Sequence, residues 1–491
     1  MDRTRLIREL ERVVGASYVI SDPAELKVYE TDGLTIFKAT PEVVVLPQST
    51  AEVAEVVRLC VREKIPFVPR GAGTGLSGGA LALEGGVVIG LNRMNRVLSV
   101  DYANQRAVIE PGLVNIWLSN QVLPDGYYYA PDPASQTACS VGGNVAENSG
   151  GPHCLKYGVT TNHVLGLELV LASGEIVEIG SFAPDPPGYD LTGVFVGSEG
   201  TFGIVTRIVV RLLRRPEAVK TMLLVFETIA DASATVSGII GRGIIPAAIE
   251  MMDRLSIKAV EKGTHAGYPT DAGSVLLVEL DGPRAEVEAY AEPVIAVGRE
   301  NRMREVRVAR DDAERALLWK GRKAAFAAMG QISPAYYVQD GVIPRTQLLR
   351  ILGEIEALGG KYGLRVANVF HAGDGNLHPL ILYDDRTEGE IERAEAMGSE
   401  IMQRCIAVGG SITGEHGVGF EKRDFMPLMY SPADLEAMAK VKRVWNPDGL
   451  LNPGKIFPTS KSCAEVGACG KPHDIGYKAH RIEKEGLAQR F

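Results

Sequence analysis

Cysteine is scarce here and unpaired. The six residues Cys60, Cys139, Cys154, Cys405, Cys463 and Cys469 include no Cys-x-x-Cys pair. The chain thus shows no sign of holding an iron–sulfur cluster or a structural zinc through its own thiolates. They read as free, mostly buried thiols. Long apolar runs are missing as well: no stretch reaches the roughly 18 residues that a membrane span needs. The opening Met1-Asp2-Arg3-Thr4-Arg5-Leu6 carries no apolar signal-peptide core. A cytoplasmic location is the resulting expectation, with peripheral membrane attachment through a partner subunit still compatible. Basic residues are outnumbered 52 to 61, for a net charge of −9, which argues against a general nucleic-acid binder. A local basic funnel for a small anion remains open.

What is present is a globular composition, 45% hydrophobic and 23% charged, over 491 residues, long enough for two or three domains. Residues 2–14 and 49–64 have helical periodicity, the second opening at Ser49 or Thr50 and burying Val53, Val56, Val57 and Cys60. Short apolar runs at 42–47, 65–70, 86–91, 106–110, 167–171, 175–178 and 204–210 read as strands. Pro216 closes this strand-rich part, and a second one opens at Thr221. There, helical periodicity covers 285–298, 311–329 and 387–408, with a last helix near 431–444.

Glycine, at 55 residues, is clustered. In Pro69-Arg70-Gly71-Ala72-Gly73-Thr74-Gly75-Leu76-Ser77-Gly78-Gly79, successive backbone N–H groups can point into one concavity and bind phosphate oxygens. Gly73-x-Gly75-x-x-Gly78 formally matches a dinucleotide fingerprint, but that motif needs a helix directly after it. Ala80 to Gly86 is too short and too glycine-broken, and a strand follows. A second loop, Pro131 to Gly151, and a third, Gly197-Ser198-Glu199-Gly200-Thr201-Phe202-Gly203, point together to one large ligand.

These three loops resemble the FAD-binding domain of the vanillyl-alcohol oxidase (p-cresol methylhydroxylase) superfamily, over roughly 38–216. The resemblance implies an α+β fold. It comprises an N-terminal helical segment (1–37), a p-cresol methylhydroxylase-type FAD-binding domain of two α+β subdomains (38–216), an α+β substrate or cap domain (217–430) and a C-terminal segment returning to the FAD domain with a tail (431–491). It places the cofactor against Arg70, Gly71, Ala72, Gly73, Thr74, Gly75, Leu76 and Ser77 of the first loop. From the second it enlists Pro133, Gly142, Gly143, Asn144, Ser149, Gly150 and Gly151, and beyond them Glu199, Gly203, Ile204, Val205 and Asn452. Some relatives bind flavin covalently through a histidine in the first loop. None stands at 69–80, so non-covalent FAD is expected, with a thioether to Cys139 disfavoured.

Three of the eight histidines fall in two glycine-flanked motifs. Val369-Phe370-His371-Ala372-Gly373-Asp374-Gly375-Asn376-Leu377-His378 carries an Asp-Gly hairpin step that would bring His371 and His378 across from each other, able to share one ion. In Thr413-Gly414-Glu415-His416-Gly417, Glu415 can complete a two-histidine, one-carboxylate set with positions left open. His416 would stand beside that ion.

These motifs, with Trp445-Asn446-Pro447-Asp448-Gly449-Leu450-Leu451-Asn452-Pro453-Gly454-Lys455, resemble the FAD-linked D-2-hydroxyacid dehydrogenases of the same superfamily. That group spans glycolate, D-lactate and D-2-hydroxyglutarate dehydrogenases, and the resemblance is strongest to glycolate dehydrogenase catalytic FAD subunits. It implies His371, His378 and Glu415 as ligands of a divalent metal (zinc, iron or manganese), His416 as the base and Arg322 as the clamp on the substrate carboxylate. The implied reaction is hydride transfer from a small 2-hydroxy acid to flavin N5. Relatives acting on 2-hydroxyglutarate carry a lysine just before the aspartate matching Asp340; here Gln339 stands there, which favours a monocarboxylate, glycolate or D-lactate. An iron–sulfur subunit and a second flavin-domain subunit are the implied electron-transfer partners, with direct use of oxygen less favoured. The competing expectations are a D-2-hydroxyglutarate-type dehydrogenase or a non-catalytic FAD-binding subunit, its histidine loops merely structural.

Overall fold

The computed structural model describes residues 1–183 and 187–458. Cys463, Cys469 and the rest of the tail lie outside the described residues. The chain forms two compact units: 1–150, 159–215 and 415 onward make the first, 151–158 and 216–414 the second.

The first unit holds two sheets. In the four-stranded one, Val43–Val45, Val87–Gly90 and Phe67–Arg70 run parallel, and Val19–Ile20 adds an antiparallel edge. The N-terminal segment, expected as helix alone, therefore contributes a strand beside its helix Arg3–Val14. Parallel neighbours need a crossover, and Thr50–Glu63 supplies one. The Ser49 hydroxyl accepts from Glu52 N–H at its start and Lys64 in the left-handed region ends it. Val53, Val56, Val57 and Cys60 are buried as the periodicity requires. The second sheet is a five-stranded antiparallel array in the order 97–101, 106–109, 203–211, 164–171, 176–180. Between the parallel strands Phe67–Arg70 and Val87–Gly90 lies the first glycine loop, with no helix in it. A dinucleotide fold of the βαβ type is thereby excluded.

One sheet of nine strands organises the second unit, centred on Ala218–Phe226, Ser274–Gly282, Ala248–Asp253 and Arg365–His371. Helices Ile229–Gly241, Arg284–Glu300, Leu348–Tyr362 and Glu390–Ala407 accompany it. The single helix expected over 311–329 is divided: Asp312–Lys323 ends, and a separate turn Ala325–Ala328 leads into a 3-10 turn. Residues 151–158, although they follow the second glycine loop, belong here: His153 lies 3.2 Å from Glu279, and Lys156 and Tyr157 both reach Asp281 at 2.6 Å.

Candidate active site

In the first unit the three glycine loops interlock. The second is not purely loop: Val141–Glu147 is a short helix, because the Ser140 hydroxyl accepts from Gly143 N–H and Asn148 closes it in the left-handed region. A Cβ on Gly71 would meet Ser140 Oγ at 2.3 Å, so the first loop rests on the start of that helix. Gly197 and Glu199 donate their N–H groups to Val145 and Ala146 carbonyls at 2.9 and 2.8 Å, which brings in the third loop. Asn452 Nδ2 then ties the Gly79 and Glu199 carbonyls at 3.2 and 2.7 Å, and Lys455 Nζ holds the Leu81 carbonyl at 2.7 Å. Asn452 thus spends its amide donors on the scaffold of the loops.

Of the other expected cofactor residues, Arg70 donates to the Thr31 carbonyl at 2.8 Å, while its buried Nη1 has no hydrogen-bond partner. Gly203, Ile204 and Val205 pair with Leu171, Val170 and Leu169 at the start of a central strand. Glu199 turns its carboxylate onto the N–H groups of Val418 and Gly419, at 2.7 and 2.6 Å, and so anchors the backbone just after His416. Burial raises the Glu199 carboxyl, partly offset by those two N–H donors. Beside it, burial and the Glu199 charge push the Glu147 carboxyl well above its usual range.

In the second unit His371 ends the strand Arg365–His371 and is paired in register with Glu250 on one side and Asn376 on the other. His378 lies two residues past Asn376, and the two imidazoles meet edge-on with ring centroids 5.1 Å apart. His371 Nδ1 is 2.8 and 3.0 Å from the two Glu250 oxygens. The same carboxylate is 2.5 Å from Arg322 Nη2. Burial alone would raise the Glu250 carboxyl, but Arg322 and His371 beside it hold it below its ordinary value. Arg322 is only 2% exposed, yet its Nε and Nη2 have no hydrogen-bond partner. The helix that carries it packs tightly enough that a Cβ on Gly321 would meet Tyr268 Cε2 at 2.4 Å.

Asp340 is fully buried; its Oδ1 is 3.3 Å from His378 Nε2, and its Oδ2 accepts from Thr413 Oγ1 and Gly414 N–H at 2.5 and 2.9 Å. The next residue after Gly414 is Glu415, so one peptide bond tethers its carboxylate to this cluster. The donor atoms of His371, His378 and Glu415 all lie within 4.8 Å of one another, as do those of Asp340, His378 and His416. Sequence reasoning missed Glu250 as a site residue and gave Asp340 no part in the cluster. A charged residue inside the apolar strand Ala-Ile-Glu-Met-Met-Asp was the available signal for the first.

Residues 41–180 match the FAD binding domain family, and 215–456 match the family of FAD linked oxidases, C-terminal domain. Glycolate oxidase subunit GlcD of Escherichia coli (strain K12) is 47% identical over 473 residues, 96% of this chain and 95% of its own. The chain belongs to the FAD-linked oxidases. GlcD of Bacillus subtilis (strain 168) is 39% identical over 91% of this chain and 96% of its own, and D-lactate dehydrogenase of Anaerostipes hadrus 36% over 87% and 91%. A crystal structure of p-cresol methylhydroxylase with substrate bound matches with a TM-score of 0.78 at 18% identity, covering 92% of this chain and 96% of its own. 4-Ethylphenol oxidase from Gulosibacter chungangensis matches at 0.77 and 22%, over 93% and 97%. At those identities the fold alone is shared, and it is the α+β fold the glycine loops imply. This FAD-linked oxidase binds FAD and is an oxidoreductase. Among its described residues, no helix is long and apolar enough to cross a membrane.

Proposed function

We propose that this FAD-linked oxidase converts a small 2-hydroxy monocarboxylate, glycolate or D-lactate, into the 2-oxo acid. The observation that carries the reading is Arg322, a buried guanidinium whose Nε makes no hydrogen bond, one carboxylate away from the His371–His378 pair. A buried cation with unused N–H groups calls for a planar anionic ligand, and a carboxylate fits two-point. The names of the relatives agree, since they are a glycolate oxidase subunit and a D-lactate dehydrogenase. We assign FAD to the first unit and the substrate carboxylate to Arg322 of the second.

Two imidazoles and a carboxylate make a nitrogen–oxygen donor set that suits zinc, iron or manganese; His371, His378 and Glu415 would hold the ion. When bound, FAD supplies the two-electron acceptor for the Cα hydride and the divalent ion supplies positive charge beside the substrate hydroxyl. Arg322 fixes the carboxylate and hence the direction of the Cα–H bond. His416 takes the hydroxyl proton. Gln339, only 1% exposed and donating to its neighbour's carbonyl, offers no cation to a second carboxylate. FAD is held non-covalently: the first loop has no histidine, and the Cys139 thiol is buried against the Asn144 amide at 3.5 Å. Electrons from bound FAD would leave to partner subunits, one carrying iron–sulfur clusters and one a second flavin domain, in keeping with the word subunit in the relatives' names. The protein works in the cytoplasm, meeting a membrane only through those partners.

Gly417, next to the proposed base, has φ +83°, and a Cβ there would meet Glu147 Oε2 at 2.1 Å. Gly417→Ala therefore carries about 1–2 kcal/mol of backbone strain besides the clash. Displacing His416 by about 1 Å lowers kcat by about 100-fold. Thermal unfolding and steady-state kinetics on the purified variant read both effects.

The direct test is anaerobic mixing of the yellow enzyme with glycolate, D-lactate or D-2-hydroxyglutarate. One or both monocarboxylates bleach the flavin band, and D-2-hydroxyglutarate does so about 100-fold more slowly, the effect of about 3 kcal/mol for an unpaired buried carboxylate. A flavin that stays oxidised with all three belongs to a non-catalytic FAD-binding subunit.

A further inference from the structure

We propose that Glu250 is a positioning residue with two dependants, setting the tautomer of His371 for metal binding and holding Arg322 for the substrate carboxylate. This rests on the reading of the site given above.

Glu250 sits in the middle of Ala248–Asp253, a strand buried along its whole length, and is itself 1% exposed. Packing there would be served better by a leucine, because an ionised carboxylate costs several kcal/mol to bury. Its presence is explained by what it touches. Both oxygens approach His371 Nδ1, at 2.8 and 3.0 Å. An ionised carboxylate only accepts, so we assign the proton to Nδ1, which makes Nε2 the nitrogen that would ligate the ion. Such a partner also raises the basicity of the ligating nitrogen. The contact is built into the fold, because Glu250 and His371 are register partners on adjacent strands.

The second dependant is approached differently. Arg322 Nη2 is 2.5 Å from Glu250 Oε2, close enough for full charge neutralisation. Yet that nitrogen makes no hydrogen bond, nor does Nε. Glu250 thus holds the buried cation through Nη2 as an ion pair, while Nε makes no hydrogen bond. One carboxylate therefore orients the two groups that must grip opposite ends of a 2-hydroxy acid, the hydroxyl through the ion and the carboxylate through the guanidinium. Shared control of both grips is what distinguishes Glu250 from an ordinary buried ion-pair partner.

The test uses Glu250→Gln in the FAD-loaded enzyme, stripped with a chelator and titrated with Zn²⁺ or Mn²⁺. Metal affinity falls about 10- to 100-fold, the usual effect of losing such a partner, while FAD content is unchanged. In the metal-free enzyme, propionate binding, followed by its perturbation of the flavin spectrum, weakens in Glu250→Gln. Metal affinity within twofold of the parent overturns the proposal. Should the variant not fold, ¹⁵N-histidine NMR of the parent decides: a protonated Nδ1 on His371 supports the proposal, a protonated Nε2 overturns it. A parent enzyme that takes up no divalent ion refutes the metal reading itself, an outcome distinct from equal binding by parent and variant.

Discussion

His371→Ala is expected to lower kcat/KM by at least about 1,000-fold while leaving FAD bound. On the proposed reading His371 is one of three ligands, so its removal would take away the ion and the positive charge that would ease loss of the hydroxyl proton; such polarisation contributes several kcal/mol. Each 1.4 kcal/mol is roughly tenfold in rate. FAD is unaffected because the flavin loops belong to the first compact unit and His371 to the second. Parent enzyme stripped with a chelator shows the same loss, and added Zn²⁺, Mn²⁺ or Fe²⁺ restores the parent but not the variant. Stopped-flow flavin reduction with metal analysis of the same samples measures both.

Arg322→Lys has the second large effect. The substitution keeps a cation beside Glu250, so the buried carboxylate is not abandoned; losing the partner outright costs about 3–5 kcal/mol of stability. The planar fork is lost, however, and an ammonium cannot hold a carboxylate at two points. Substrate then binds more weakly and with its Cα–H bond misdirected. KM rises and kcat falls together, and kcat/KM drops about 100- to 10,000-fold. Unfolding temperature changes little. Steady-state kinetics beside thermal denaturation separate this from general destabilisation: a variant with normal KM and reduced kcat contradicts the clamp.

Local signals carried most of what could be read beforehand. The glycine loops, the Ser49-capped helix and the Asp374-Gly375 step each declare themselves within about a dozen residues. So did the match of His371 with His378, although the direct register partner of His371 is Asn376, with His378 two residues on. Glu250 was illegible for the opposite reason. It lies 121 residues from His371, and nothing local marks which strands will be neighbours. Asp340 reaches Thr413 across 73 residues in the same way. Residues 151–158 fall inside the expected FAD-binding domain, 38–216, because their bonds to Glu279 and Asp281 span some 125 positions. Likewise nothing local in Glu199, which the resemblance assigns to the cofactor, marks that its carboxylate is directed to the backbone at 418 and 419, 219 and 220 residues away. Local chemistry named the participants; long-range strand pairing decided who orients them.

X-ray absorption at the metal edge, on enzyme loaded with one equivalent of Zn²⁺ or Mn²⁺, tests the central claim most directly. The expected first shell is two imidazole nitrogens and at least one carboxylate oxygen, completed by exchangeable light atoms that substrate displaces. A shell of thiolate sulfur, a single imidazole, or no bound metal at all contradicts it.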